Sequence, residues 1–231
     1  MDGGVVPRAR RLEAEARREQ ILAAAVAGIA ERGFGVTTRE VARRAGVTQA
    51  LLYQYFDSKQ ALAEAVYERV FLGRLDPRWM REIRDRSRPI EERLEAFYQR
   101  YTRAIFTEEW MRIFMWAGLS GEGLNRRYLG TVEAQLLRPL AEEIAADGRF
   151  AAPELEAMWA LHGSLVYIGI RRFIYRLPTP QDPAPAVAAT LRRFLAGLRA
   201  EARQARRAAP RLGPPAQAAA AVRRRRAPAK G

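Results

Sequence analysis

Side chains able to do covalent or acid–base chemistry are scarce in this chain. There is no cysteine and one histidine, His162, which excludes disulfides, thiolate metal sites and cysteine nucleophiles and removes most zinc arrangements. No E-x-x-H pair at helical spacing is available for general acid–base or metal work. No catalytic residue, metal ligand or cofactor is therefore expected. What remains is hydrogen-bonding chemistry concentrated in "TTREVARRAGVTQALLYQYF", Thr37 to Phe56. There Arg39 can form a bidentate pair with guanine O6 and N7, Gln49 can offer a donor and an acceptor together to adenine, and Ala50 is small enough to approach a groove closely. Thr48, Tyr53, Tyr55 and Lys59 suit phosphate oxygens, which hold register without reading sequence.

Such groups must be presented by rigid elements. Thr37 and Glu40 fit the S/T-x-x-E capping box that starts a helix. Gly46 follows Ala45 and frees the backbone to turn, and Thr48 caps a second helix through Tyr55 or Phe56. Two helices around a short glycine-containing turn form a helix-turn-helix, whose second helix enters the DNA major groove. Val41, Ala45, Leu52 and Phe56 point inward, while Arg39, Arg43, Ala50 and Gln54 point away. Upstream, Ile21, Leu22, Ala25, Val26, Ile29 and Ala30 make one apolar face of a helix over about 12–32, closed by Gly33. A fourth helix starts at Asp57 or Ser58.

Apolar residues recur at helical rather than alternating spacing along the rest of the chain, which predicts an all-α protein. Further helices are expected at about 89–106, 108–119, 123–146, 153–176 and 183–207, with a kink or a shorter helix at Pro139. The domains expected are a DNA-binding module at 12–72, a larger helical domain at 73–207, and a basic, disordered tail at 208–231. The formal charge is +14, and the tail supplies six basic residues and no acidic one. A polyanionic partner is implied. With no apolar signal core and no apolar run of the ~20 residues a membrane span needs, the chain is expected to be soluble and cytoplasmic, with no membrane partner.

Residues 21–66, "ILAAAVAGIAERGFGVTTREVARRAGVTQALLYQYFDSKQALAEAV", resemble the tetracycline-repressor (TetR) family of bacterial transcription regulators. The resemblance rests on the "ERGF" helix end, "TT-x5-AG-V" across the turn, "LY-x-YF" in the recognition helix and "SK-x-AL" opening helix four. It implies a three-helix DNA-binding module, a divergent ligand-binding domain, and a homodimer through the last two long helices. Carried over by position, Arg39 and Gln49 become base readers with Ala50 and Leu51 beside them, and Thr38, Thr48, Tyr53, Tyr55 and Lys59 become phosphate anchors. Leu51 departs from the glycine, serine or threonine common there; it either touches a thymine methyl or packs on the first helix.

Residues 97–175 are rich in aromatic side chains and methionine, most of them suited to a helical core. Trp110, Phe114, Tyr128, Trp159, His162 and Tyr167 are the candidates to face a small apolar or aromatic effector. His162, on the apolar helix "MWALHGSLVYIGI", is either a hydrogen-bonded buried group or a polar marker within a cavity. The expected function is a ligand-responsive, sequence-specific repressor of a palindromic double-stranded DNA operator. The alternative is a charge-driven architectural DNA-binding protein with no ligand switch.

Overall fold

The computed structural model describes residues 8–120 and 123–208. The tail from 209 onward, with Arg223–Arg226, lies outside the described residues. Among these the chain is helical with no strand, in the order α1 Arg8–Arg32, α2 Thr38–Arg44, α3 Gln49–Tyr55, α4 Lys59–Val70, a 3₁₀ turn Leu72–Arg74 and α5 Pro77–Ile83. There follow α6 Ile90–Ile105, α7 Glu108–Ser120, α8 Leu124–Val132, a π turn Glu133–Leu137, α9 Arg138–Ala146, α10 Leu155–Phe173 and α11 Ala184–Ala208.

The helix predicted over 123–146 is interrupted because Pro139 has no N–H to donate and its ring crowds the preceding turn. The backbone relieves this with the π turn Glu133–Leu137. Helix α5 was not anticipated, although Asp76 and Pro77 signal it: the Asp76 carboxylate accepts from Arg78 N, and Pro77 occupies a first-turn position where no N–H is needed.

α1 packs against α2, α4 and α7; α6 packs against α5 and α11; and α10 packs against α7, α9 and α11. The buried side chains form one continuous core that runs across the expected boundary at 72/73. Phe71 is the seam, since its ring lies 5.5 Å from Tyr67 of α4 and 5.7 Å from Trp110 of α7. In the larger helical part, Arg93 of α6 pairs with Glu143 of α9 at 2.9 Å, both almost fully buried, and also donates to the carbonyls of Ile83 and Arg88. Arg86 bonds the other Glu143 oxygen at 2.9 Å, so the buried carboxylate is held by two guanidinium groups.

Candidate nucleic-acid interface and sensor core

Helix α2 begins with the full capping box: Glu40 N donates to Thr37 Oγ1 at 3.3 Å and Thr37 N donates to Glu40 Oε2 at 2.9 Å. The Thr37 amide, with help from Arg32 at 2.6 Å, pulls the Glu40 carboxyl down to about 2. At the other end Val47 N donates to Ala42 O at 3.0 Å and Gly46 N to Arg43 O at 3.2 Å. This Schellman closure needs a left-handed residue, supplied by Gly46 at φ +65°. Helix α3 then starts on Thr48, whose Oγ1 accepts from Leu51 N at 3.1 Å. Fully buried Leu52 fixes α3 to the core, and Gln20 of α1 donates to the Ala45 carbonyl at 2.7 Å. Both seven-residue helices are thus held at their ends and on one face, as a reading head requires.

Across the pair runs a hydrogen-bond chain. Gln49 Nε2 donates to Thr38 Oγ1 at 2.9 Å, and that oxygen lies 3.1 Å from the Tyr53 hydroxyl. The Thr38 oxygen has two acceptor sites and one proton, so it can accept from Gln49 and still pair with Tyr53 in either direction, which holds the Tyr53 hydroxyl in place with hydrogen-bonding capacity to spare. Gln49 keeps its amide oxygen and one N–H, the pair needed for an adenine edge, in a fixed orientation. Thr38 itself is only 7% exposed, so the role of phosphate anchor expected from the resemblance does not fit it: packing between α2 and α3 has buried the hydroxyl beneath the residues it holds.

Arg39, Thr48, Ala50, Tyr53 and Lys59 are exposed, while Leu51 and Tyr55, one turn apart, are half-buried. Tyr55 packs on the core. Lys59 Nζ donates to the Phe34 carbonyl at 2.8 Å, tying α4 to the turn after α1.

A family model described as bacterial regulatory proteins, tetR family, matches residues 21–66, the span that contains this head. The match lies in the N-terminal module and marks that part of the chain as similar to the DNA-binding module of the family. The chain is 27% identical over 156 residues to the HTH-type transcriptional regulator BetI of Cronobacter sakazakii, covering 64% of this chain and 73% of that protein. Its fold is similar to that of a TetR-family transcriptional regulator from Mesorhizobium loti, with TM-score 0.60 and 17% identity over 80% of this chain and 97% of that one. It is also similar to the fatty acid degradation regulator FadR of Bacillus halodurans, with TM-score 0.61 and 21% identity over 78% and 99% of the two chains. These similarities are all to transcriptional regulators and support a DNA-binding regulator rather than an enzyme. Among its described residues no helix is long and apolar enough to cross a membrane.

Of the six sensor candidates, five come together. Trp110 stacks on Phe114 at 5.0 Å and meets Tyr128 edge-on at 5.7 Å. The Tyr128 hydroxyl lies 2.9 Å from that of Tyr101, which is 3.3 Å from His162 Nε2, and Trp159 abuts the imidazole at 5.9 Å. Burial holds His162 neutral, with its pKa lowered to about 4, and pushes the Tyr101 and Tyr128 phenols up. Tyr167 is not among them: five residues beyond His162, it lies about 140° round α10. It is 49% exposed and packs on Tyr175.

Two residues that sequence reasoning passed over join this cluster to the reading head. On the opposite side of α7, Arg112 donates to the carbonyls of Ala30 and Glu31, the latter at 3.0 Å, and so caps α1. Trp116 covers Gly33, where a Cβ would stand 2.8 Å from the indole and φ is +76°. The "ERGF" helix end carried half of this signal; the other half lies some 80 residues away in sequence.

Proposed function

We propose that the chain is a ligand-responsive repressor that binds a palindromic operator as a homodimer and is released when a small apolar or aromatic molecule enters the helical domain formed by residues 73–207. The observation that carries this reading is the position of α7. One face holds Trp110 and Phe114 of the aromatic cluster, and the other grips the end of α1 through Arg112 and Trp116. A ligand that shifts α7 would shift the helix on which α2 and α3 are packed. A coupling of about 1–3 kcal/mol would change operator affinity roughly 5–150-fold.

The exposed residues of α10 and α11 support the dimer. Small residues, Ala160, Gly163 and Ser164 on α10 and Ala196, Gly197 and Ala200 on α11, recur among the exposed positions of both helices, beside larger ones such as Tyr167, Arg192 and Arg193. Where the small residues face a second copy, the helices can approach it at the short end of the usual 8–10 Å range. A two-fold through them would place two α3 helices on half-sites about 34–36 Å apart, with Arg39 and Gln49 reading bases and Thr48, Tyr53 and Lys59 on phosphates.

The test is fluorescence anisotropy at physiological salt with the duplex upstream of the chain's own gene against a scrambled duplex. A specificity ratio above about 10³ is expected. A ratio near one across several genomic fragments would favour the charge-driven alternative. Arg112→Ala should keep operator affinity but lose most of the effector-induced release.

A further inference from the structure

The core around α6, α7 and α10 leaves three fully enclosed polar atoms without a protein partner: Tyr98 Oη, Trp110 Nε1 and His162 Nδ1. Their side chains are 0%, 1% and 5% exposed. They belong to one set of touching rings, since Tyr98 and Tyr101 lie 6.3 and 5.2 Å from the imidazole and Tyr101 joins Tyr128 beside Trp110. Buried polar groups are almost always paired, and each orphan costs free energy that a correctly placed partner recovers.

The chemistry of the missing partner can be read from the network. Trp110 Nε1 can only donate. If Tyr128 donates to Tyr101 and Tyr101 to His162 Nε2, the imidazole carries its proton on Nδ1 and donates as well. Tyr98 donates without competition. Three enclosed donors within one set of rings call for an acceptor. The rings carry no charged side chain, and Arg74, the cation whose field reaches Tyr128, is already engaged by Glu109 at 3.1 Å, Ala104 O and Thr107. Among the rings themselves an anion or a cation would have no counter-charge, and that desolvation is costly.

An open cleft of about 500 Å³, lined by Gly118, Asn125, Arg126, Gly130, Glu133 and Trp159, meets this cluster at Trp159, whose ring lies 5.9 Å from that of His162. Its volume is within the range of small-molecule sites. Trp159 stands between the cleft and His162, and the π turn begins at Glu133 on the rim. Backbone irregularities of this kind are frequent at functional sites.

We propose that the effector is an uncharged, lipophilic molecule bearing a hydrogen-bond acceptor, such as an aromatic ketone, which enters beside Trp159 and seats that acceptor on Tyr98, Trp110 and His162. This rests on the effector reading above and adds its chemical class.

The test combines two variants with six probes. Tyr98→Phe removes an unpaired hydroxyl and should raise the melting temperature of the free protein by roughly 2–4 °C. A lower melting temperature would mean that the phenol is satisfied within the fold, for instance through a water, and would overturn the proposal. Acetophenone and 2-acetonaphthone are compared with benzoate, 2-naphthoate and the matching benzyl- and naphthylmethyl-trimethylammonium ions, by thermal shift and by release of labelled operator. At least one ketone should bind about tenfold or more tighter than its ions, and Tyr98→Phe should weaken it about fivefold. Tighter binding of a carboxylate, weakened by Arg126→Ala, would overturn the uncharged class and leave the effector reading standing. Ketone binding indifferent to Tyr98→Phe would place the site elsewhere and overturn the assignment. No response to any probe in either readout would count against the effector reading and this one together.

Discussion

The reading head and the sensor core treat buried polar groups in opposite ways. Around α2 and α3, Thr37, Thr38, Gln49 and Glu40 each have a named partner, and the half-exposed Tyr53 hydroxyl is anchored to Thr38. Between α6, α7 and α10, phenol, indole and imidazole groups are enclosed with atoms unanswered. A surface that must meet DNA in one orientation gains from having its geometry settled in advance. On the proposed reading, unmet hydrogen-bonding capacity in the helical core gives a small molecule something to satisfy, and a ligand that satisfies it better in one state than in another shifts the balance between them.

The largest effect should come from a place where the second region does satisfy a buried group. Glu143→Leu would leave Arg93 charged and enclosed, and a loss of about 3–5 kcal/mol in denaturant unfolding is expected. A loss below about 1 kcal/mol would mean that the helical core tolerates bare charge, and the contrast with the reading head would lose its meaning.

The next test addresses the first region. Thr38→Val removes the shared partner of Gln49 and Tyr53, and discrimination at one base pair should fall by about 1–3 kcal/mol, with Thr38→Ser restoring most of it. The measurement is affinity for a selected operator and its single-base variants, alongside melting curves to separate folding from recognition. Uniform weakening with unchanged base preference would show that the chain of hydrogen bonds positions Tyr53 but not Gln49.

The most gradual effect is a dependence on pH. His162 is neutral in the fold, with its pKa lowered to about 4, and would take a proton near pH 6.5 when unfolded. The unfolded state therefore binds more protons as pH falls below 6.5. Stability is full above that value and declines as pH drops toward 4, by up to about 1.4 kcal/mol per unit. Because the chain has a single histidine, the slope between pH 6.5 and 5 belongs chiefly to this side chain. A flat profile there would place His162 in contact with water or a counter-charge.

What the sequence disclosed was what its neighbours decide. The Thr37–Glu40 box and the Gly46 turn each involve residues within five positions, so their types alone imply the geometry. Pro139 announced an interruption, yet the choice of a π turn over a kink depends on how α8 and α9 pack, which spacing does not encode. Thr38 was misplaced because its burial is set by Gln49 and Tyr53, 11 and 15 residues ahead. Tyr167 could have been separated from His162 by counting degrees round the helix. Of the Arg112 and Trp116 contacts only the Gly33 helix end was legible, since the carbonyl oxygens and the glycine that they meet do not say which distant side chains will cover them.

That last feature bears on how such regulators can be rebuilt. Arg112 meets only main-chain oxygens of residues 30 and 31, and Trp116 requires at position 33 only the absence of a side chain. At this contact the demand on side-chain identity is small, whereas Phe71 against Trp110 and Arg127 on Tyr67 and Glu64 are matched by side chain. A foreign reading head grafted onto the helical half would need the left-handed glycine at the end of its first helix and an aromatic seam residue in the place of Phe71.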